Sequence, residues 1–200
     1  KRVGISVTRL IEEYAKEFKQ QEIAEKVATR DGKTVQEVLD EWKYKNQFAC
    51  AKGSTCHEYA QAKWVARYWE RIDFDGSYEY FEAVEKIKKQ ADNFKKDYKD
   101  RLEHLADEDI VGSSEYDIAS AIDHLFINKL TGGLVLVDYK TNSYLSGYNK
   151  KAYSKKMKVP LQHLNDDAIH HYCIQLSIYR YLIEKYTDII LEDMFIVYMS

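Results

Sequence analysis

An aspartate and a lysine at the end of one apolar segment have the clearest potential for chemistry. Residues 134–137 are Leu-Val-Leu-Val, and Asp138, Tyr139 and Lys140 follow directly. Because side chains alternate along a strand, Asp138 and Lys140 should point to the same side. There the carboxylate could hold a divalent cation, while the lysine orients or helps to deprotonate water or stabilises charge on a phosphate. An isolated pair of this kind is more often a surface ion pair at a strand end.

A second acid favours the chemical interpretation. Asp123 ends the stretch 119–122 and precedes Asp138 by 15 residues, with a glycine turn at 132–133 between them. A short turn indicates that the two strands pair antiparallel. The two carboxylates would then converge on one ion, in the hard oxygen environment that Mg²⁺ or Mn²⁺ prefers.

Three further segments contain polar residues at suggestive spacing. Residues 53–58 are Gly-Ser-Thr-Cys-His-Glu, and residues 160–164 are Pro-Leu-Gln-His-Leu. Gln175 and Tyr179 are four positions apart in a predicted helix and therefore share one face. A glutamine on such a face needs partners, which a metal site or a DNA phosphate could supply. The structural alternative is a core-facing stripe with one polar member.

Together these segments resemble a known family. Asp123 followed by Leu-Val-Asp-Tyr-Lys-Thr at 136–141 resembles the core motif of PD-(D/E)XK nucleases. The likeness is greatest to the branch that contains the RecB nuclease domain, lambda-type exonucleases and many phage exonucleases. Residues 53–58 resemble that branch's GtxxHe motif, 175–179 its QxxxY motif and 160–164 a PLxHL stretch of phage members. The literal proline-aspartate pair is missing, since Ile122 precedes Asp123.

The resemblance implies roles for particular residues. An additional upstream acid is expected, for which Glu108 is preferred because it lies 15 residues before Asp123, whereas Glu115 falls in a predicted hairpin turn. A neutral His57 would bind metal, so binding should weaken below about pH 6.5. The implied cofactor is one or two Mg²⁺ or Mn²⁺ ions. The implied metal ligands are His57, Glu108, Asp123 and Asp138, and the implied catalytic residues are Asp123, Asp138, Lys140, Gln175 and Tyr179.

A lysine-rich segment after the catalytic strand is the expected DNA-binding loop. Residues 148–158 contain five lysines, two tyrosines and no acid. Lysines can contact phosphates and tyrosines can stack on bases. The alternative is a solvated mobile loop. The predicted DNA contacts are Lys150, Lys151, Tyr153, Lys155 and Lys156, with Arg180 beside the Gln175–Tyr179 face.

The resemblance implies a metal-dependent exonuclease that hydrolyses phosphodiester bonds at DNA ends, in recombination, repair or phage DNA processing. Protein partners in a recombination or replication complex would fit this setting. The alternative is a DNA-binding or structural module that keeps the nuclease fold within a larger helicase or recombination complex. Loss of a catalytic position would distinguish that module, and Asp123, Asp138 and Lys140 are all present.

Composition limits the remaining possibilities. A net charge of −3 argues against a uniformly basic surface, so any DNA-binding charge must be concentrated on one face. The three cysteines form no CxxC pair, read as reduced thiols and are too few for a four-cysteine iron–sulfur cluster. No apolar run approaches the roughly 18 residues of a membrane span. We therefore expect a cytoplasmic protein without a membrane partner. We also expect the sequence to be either a trimmed chain or one domain of a longer chain.

The elements that must position these residues form an α/β pattern. We expect one nuclease domain over 1–200 with a PD-(D/E)XK restriction-endonuclease-like core, in which helices flank a central mixed β-sheet. Residues 1–106 should be mainly helical and include the histidine motif, and 107–200 should hold the catalytic sheet and the QxxxY helix. A break at 53–55 should separate two helices. Predicted helices cover about 9–14, 22–29, 34–52, 56–71, 80–106 and 166–186, and predicted strands cover 109–112, 118–127, 133–139 and 194–198.

Overall fold

The computed structural model describes residues 4–70, 73–142 and 155–199, which form five helices and six strands. The helices are α1 (Val7–Tyr14), α2 (Gln20–Asp31), α3 (Val35–Trp64), α4 (Tyr78–Tyr98) and α5 (Ala168–Tyr186). The strands are β1 (Leu102–Asp107), β2 (Ile110–Ser113), β3 (Ile118–Ala121), β4 (His124–Asn128), β5 (Leu134–Lys140) and β6 (Leu191–Tyr198). Among the described residues, no helix is long and apolar enough to cross a membrane.

Side-chain caps fix where several helices begin. The Ser6 hydroxyl accepts a hydrogen bond from the Arg9 amide at the start of α1. At the start of α3, Thr34 and Glu37 form a capping box in which each side chain accepts from the other residue's backbone amide. Asp167 accepts from the His170 amide and so starts α5. These bonds satisfy amides that have no partner inside the helix.

Four strands form a mixed sheet in the order β1-β4-β5-β6. The β1/β4 and β4/β5 pairs are antiparallel, whereas β5 and β6 are parallel and are connected through α5. The predicted antiparallel pairing around the glycine turn is therefore confirmed, as is the α/β class with a mixed sheet. β5 lies inside the sheet, which agrees with its almost unbroken apolar sequence.

Each face of the sheet has its own apolar core. On one face, Leu136 and Leu125 pack with Val7 and Ile11 of α1 and with Leu176 of α5. On the other face, β5 packs with α3 and α4 through a second cluster, whose strand members include Phe126, Val135, Val137 and Tyr139. Strand alternation explains this division, since odd and even positions of β5 enter different clusters. The sheet is therefore covered by helices on both faces.

The segments β1–β2 and β3–β4 run side by side as one long two-stranded ribbon. A sharp corner divides this ribbon: β1 and β4 belong to the four-stranded sheet, and β2 and β3 form a separate hairpin. The Glu108 amide donates to the Asp123 carbonyl, and the Ile122 amide donates to the Asp109 carbonyl. Glu108 has a positive φ of 55°, which turns the chain between β1 and β2. The corner therefore keeps its ladder paired while changing direction, and Asp123 lies at the bend.

Three sequence-based boundaries are wrong. The break at 53–55 does not occur, because α3 runs through it from Val35 to Trp64 and buries Thr55. The helix predicted to reach residue 106 ends at Tyr98, and the chain then alternates as β1. The strand predicted over 118–127 is two strands in two sheets, because the corner interrupts it at residues 122–123.

The continuity of α3 can be tested at Gly53. A β-carbon there would come no closer than 3.8 Å to its nearest neighbour, the Thr141 hydroxyl, which is an ordinary contact. Because glycine costs a helix interior roughly 0.5–1 kcal/mol relative to alanine, Gly53→Ala should increase the free energy of unfolding by about that amount. Urea denaturation measures this change. A loss of stability would show that the chain needs glycine here and that α3 is broken.

Candidate active site

Two of the residues predicted to act together, Asp138 and Lys140, pair at the end of β5. The Lys140 ammonium donates a hydrogen bond to Asp138 Oδ1 at 2.9 Å and lies 2.7 Å from Oδ2. The Asp138 side chain is only 2% exposed and that of Lys140 14%. The prediction that both side chains point to one side of the strand is confirmed. This pair is buried and is not the surface ion pair of the alternative interpretation.

Asp123, which lies at the neighbouring corner, is hydrogen-bonded to the backbone of the same strand. Its Oδ2 accepts the Tyr139 amide at 2.9 Å and lies 3.1 Å from Nδ1 of His57. His57 is in α3, so the centre joins a helix from one face of the sheet to the corner of the ribbon. The structure thus pairs His57 with Asp123 and Asp138 with Lys140, both at the end of β5. Their roles as metal ligands and catalytic groups stay predictions.

Burial and charge affect the two carboxylates in opposite ways. Burial, followed by the negative charge of Asp123, raises the pKa of Asp138 to about 6 against the opposing effect of Lys140. Burial also acts to raise the pKa of Asp123, but hydrogen bonding and charge from His57 outweigh it and hold this pKa below its usual range. Burial and the neighbouring carboxylate therefore disfavour the charged form of Asp138 more than Lys140 stabilises it.

The two basic groups keep their protons more firmly than usual. Burial acts to lower the pKa of Lys140, but the charges of Asp138 and Asp123 outweigh it, so this pKa is raised. The pKa of His57 is likewise raised, because hydrogen bonding and charge from Asp123 exceed the cost of burial. Lys140 is therefore an ammonium at neutral pH, and Asp123 stabilises the protonated form of His57.

Gln175 and Tyr179 form a short hydrogen-bonded chain beside the centre. Gln175 Nε2 donates to the Tyr179 hydroxyl at 2.7 Å, and that hydroxyl also lies 3.1 Å from the Ser120 hydroxyl. Tyr179 is buried, and the charges of Asp138 and Asp123 contribute to raising its pKa after burial itself. The predicted common face is confirmed, and it is both core-facing and close to the carboxylates.

The other predicted site residues have different surroundings. Glu108 is exposed at the corner, and only its main chain is bonded to Asp123, so its role as a ligand stays a prediction. Glu115 lies in the hairpin turn, as expected, and accepts hydrogen bonds from Lys185 and Tyr186. Arg180 donates to Glu184 within α5.

The predicted DNA-binding loop is described only in part. Lys155 and Lys156 are exposed, and Lys156 donates to the Asn165 side chain. Lys150, Lys151 and Tyr153 lie outside the described residues. Whether this loop binds DNA therefore remains a prediction for all five residues.

Sequence reasoning missed two aromatic neighbours of the centre. The Tyr172 ring centroid lies 4.8 Å from Nζ of Lys140, which places the ammonium against an aromatic face. His124 follows Asp123 directly, and its buried Nδ1 has no hydrogen-bond partner among the described residues. The helical spacing of Tyr172 from Gln175 and Tyr179 was visible in the sequence, whereas the burial of His124 was not.

A divalent cation fits the donor chemistry of this site. Oδ2 of Asp138 is buried and accepts no hydrogen bond from the described residues, although Lys140 is close to it. Two carboxylates supply the oxygen ligands that Mg²⁺ or Mn²⁺ prefers, and the imidazole of His57 adds a nitrogen ligand more typical of transition metals. Within the described ranges, no group of three or more His, Cys, Asp and Glu side chains is already arranged as a metal cage. Binding would require His57 and Asp123 to exchange their mutual contact for the ion.

Cys56, which precedes His57, does not offer an alternative nucleophile. It is fully buried beside Met199, and burial raises the pKa of its thiol to about 12. A thiol that stays protonated is a poor nucleophile. The chemistry of this centre therefore rests on its carboxylates and basic groups.

Comparison of the sequence with known protein families gave no match, and comparison with curated proteins gave no significant match.

The buried His124 should make the protein sensitive to acid. Burial lowers its pKa to about 4, below the ordinary value of 6.5, so the unfolded chain binds the proton more readily. Stability should therefore be lost as the pH falls from about 6.5 towards 4, by about 3 kcal/mol over the full window. Urea denaturation at pH 7 and pH 5 measures this loss, which His124→Phe should reduce. His163→Phe, at an exposed histidine, is the control; an equal pH dependence in both variants would contradict the prediction.

Proposed function

We propose that this protein is a metal-dependent DNA exonuclease and that its mixed sheet is the core of a PD-(D/E)XK nuclease. The observation that carries the proposal is the buried Asp138, held between Asp123 and Lys140 at the end of β5. A carboxylate that is buried next to a second carboxylate is costly unless a cation compensates it. The proposed setting is DNA recombination, repair or phage DNA processing in the cytoplasm.

The carboxylates of Asp138 and Asp123 would hold the divalent cation next to the scissile phosphate. Asp138 and Asp123 would be the main ligands, with His57 as a neutral third ligand and Glu108 as a candidate fourth. A bound Mg²⁺ or Mn²⁺ supplies Lewis-acid stabilisation of the phosphate and lowers the pKa of water. The bond from the Tyr139 amide to Asp123 Oδ2 orients that carboxylate before any ligand arrives.

Lys140 is best suited to stabilise negative charge. Its pKa is raised by both carboxylates, so it remains an ammonium at neutral pH and can donate hydrogen bonds to the attacking water or to a phosphate oxygen. The Tyr172 ring packs against this ammonium and limits its orientations. Deprotonation of water by Lys140 would first require the loss of a proton that its surroundings stabilise.

Gln175 and Tyr179 would support the centre from α5. The Tyr179 hydroxyl is fixed by Gln175 and Ser120, so its position does not depend on the substrate. The Gln175 amide is only partly buried, and its carbonyl oxygen is available for a water molecule in the site. Such fixed groups keep the arrangement of charges constant during the reaction.

A cleavage assay tests the proposed function. The protein should shorten end-labelled linear DNA with Mg²⁺ or Mn²⁺, leave closed circles intact, and lose activity in EDTA. Asp123→Asn, Asp138→Asn and Lys140→Gln should each reduce the rate by about 10²-fold or more, because each removes a charge at the reacting phosphate. Asp97→Asn, at an exposed position of α4, is the matched control. Linear DNA that stays intact with both metals would refute the exonuclease and leave a binding module.

Metal binding can be measured independently of cleavage. Because a ligand that binds only the folded state stabilises it, Mg²⁺ or Mn²⁺ at about 100 times its Kd should add about 2.7 kcal/mol. For a chain of this size, that gain raises Tm by roughly 5–10 °C. The shift should disappear in Asp138→Asn and persist in Asp97→Asn. An equal shift in both variants would place the ion elsewhere.

A further inference from the structure

We propose that a lysine-lined groove between the α1–α2 connection and residues 155–158 binds the phosphate backbone of a nucleic acid. The inference rests on the proposed function and names the path of its substrate. The groove has a volume of about 670 Å³, and it is called the lysine groove below. Its basic residues are Lys16, Lys19, Lys26, Lys155, Lys156 and Lys158.

The lysine groove concentrates positive charge on a protein whose net charge is −3. Six lysines line it against two acids, Glu17 and Glu22, which leaves a local charge of +4 (six minus two). Lys19 and Lys26 share Glu22, at 3.5 Å and 2.8 Å. The other four ammonium groups form no ion pair with any described residue. This is the localised basic face that DNA binding by an acidic protein requires.

The backbone that carries these lysines is held in place. Met157 lies between the lysines and is buried in the core that contains α1 and α5. The Lys158 amide donates to the Tyr14 carbonyl, and the Asp166 amide donates to the Lys155 carbonyl. The ammonium groups of Lys156 and Lys158 also donate to the Asn165 side chain and the Glu13 carbonyl. This fixed base lowers the entropy cost of gathering the exposed lysines around a ligand.

Asp166 connects the lysine groove to the active site. Its Oδ2 accepts the Lys16 amide at 2.7 Å, and its Oδ1 lies 2.8 Å from Nε2 of His171. One carboxylate thus joins the end of α1 to the first turn of α5. Tyr172, which contacts Lys140, follows His171 directly. At about 1.5 Å per residue along a helix, Tyr172 lies only about 6 Å along the axis from the start of α5.

The chemistry of the lysine groove favours a nucleic-acid backbone over other anions. Lysines bind phosphates as point charges without reading bases, as an exonuclease acting on any sequence requires. Ile23 is the one apolar side chain among the residues that line it, and it is half-buried, so nothing here would insert into a lipid bilayer. An acidic peptide would lack the regular spacing of charges along a strand.

Fluorescence anisotropy tests this proposal in EDTA, where no cleavage occurs. The probe is a fluorescein-labelled oligonucleotide, tested as a single strand and as a duplex. The triple substitution Lys16→Gln, Lys155→Gln and Lys156→Gln should raise Kd at least about tenfold. It should also reduce the slope of log K against log salt by about two to three, since each lost phosphate contact contributes about 0.7–0.9. The same variant should raise KM for DNA in the cleavage assay.

The matched control is a second triple substitution on α4, Lys86→Gln, Lys89→Gln and Lys96→Gln, which removes the same charge from exposed positions. Equal losses of affinity in both triple variants would show a general charge effect and overturn the proposal. So would the absence of DNA binding by the parent protein, or tighter binding of polyglutamate or anionic vesicles than of DNA. Binding through the groove without cleavage refutes only the nuclease. Cleavage with KM unchanged by the groove substitutions refutes only the groove.

Discussion

The buried ion pair between Asp138 and Lys140 is the constraint on which the arrangement of the surrounding structure depends. Removing two charges from water costs several kcal/mol per ion, and their mutual attraction returns this only with good geometry and further partners. Lys140 gains two further partners: the charge of Asp123 at the ribbon corner and the ring of Tyr172 from α5. His57 from α3 in turn balances the charge of Asp123. Helices from both faces of the sheet therefore contribute side chains around the end of β5.

The two apolar cores hold those helices against the two faces of the sheet. The alternation of β5 sends Leu136 towards α1 and α5 and sends Val137 and Tyr139 towards α3 and α4. Tyr139 connects the second core to the site, because its hydroxyl accepts a hydrogen bond from Trp64 while its amide donates to Asp123. Tyr139 therefore links both α3, through Trp64, and β5 to the carboxylate of Asp123.

The sequence predicted the parts of the site that follow from local periodicity. Asp138 and Lys140 share a side because strands alternate, and Asp123 comes close because a glycine turn permits an antiparallel pair. The continuity of α3 through Gly53 and the corner at residues 122–123 depend on packing between distant elements. No periodicity within a single segment encodes such packing. The resemblance of 53–58 to a nuclease motif drew attention to His57, which lies beside Asp123, although the expected helix break was wrong.

The helix α5 shows why the chemistry and the proposed path of DNA belong together. Its apolar face, with Leu176, Leu182 and Ile183, closes one core. Its first turns place Tyr172 against Lys140. Its start is fixed through His171 to Asp166, whose carboxylate also accepts the Lys16 amide just after α1. A displacement of α5 would therefore change the core, the centre and the lysine groove at once. Since α5 also forms the crossover from β5 to β6, the parallel strand pair fixes its position. The crossover therefore links the strand that carries Asp138 and Lys140 to the helix whose start is bonded through Asp166 to the end of the lysine groove.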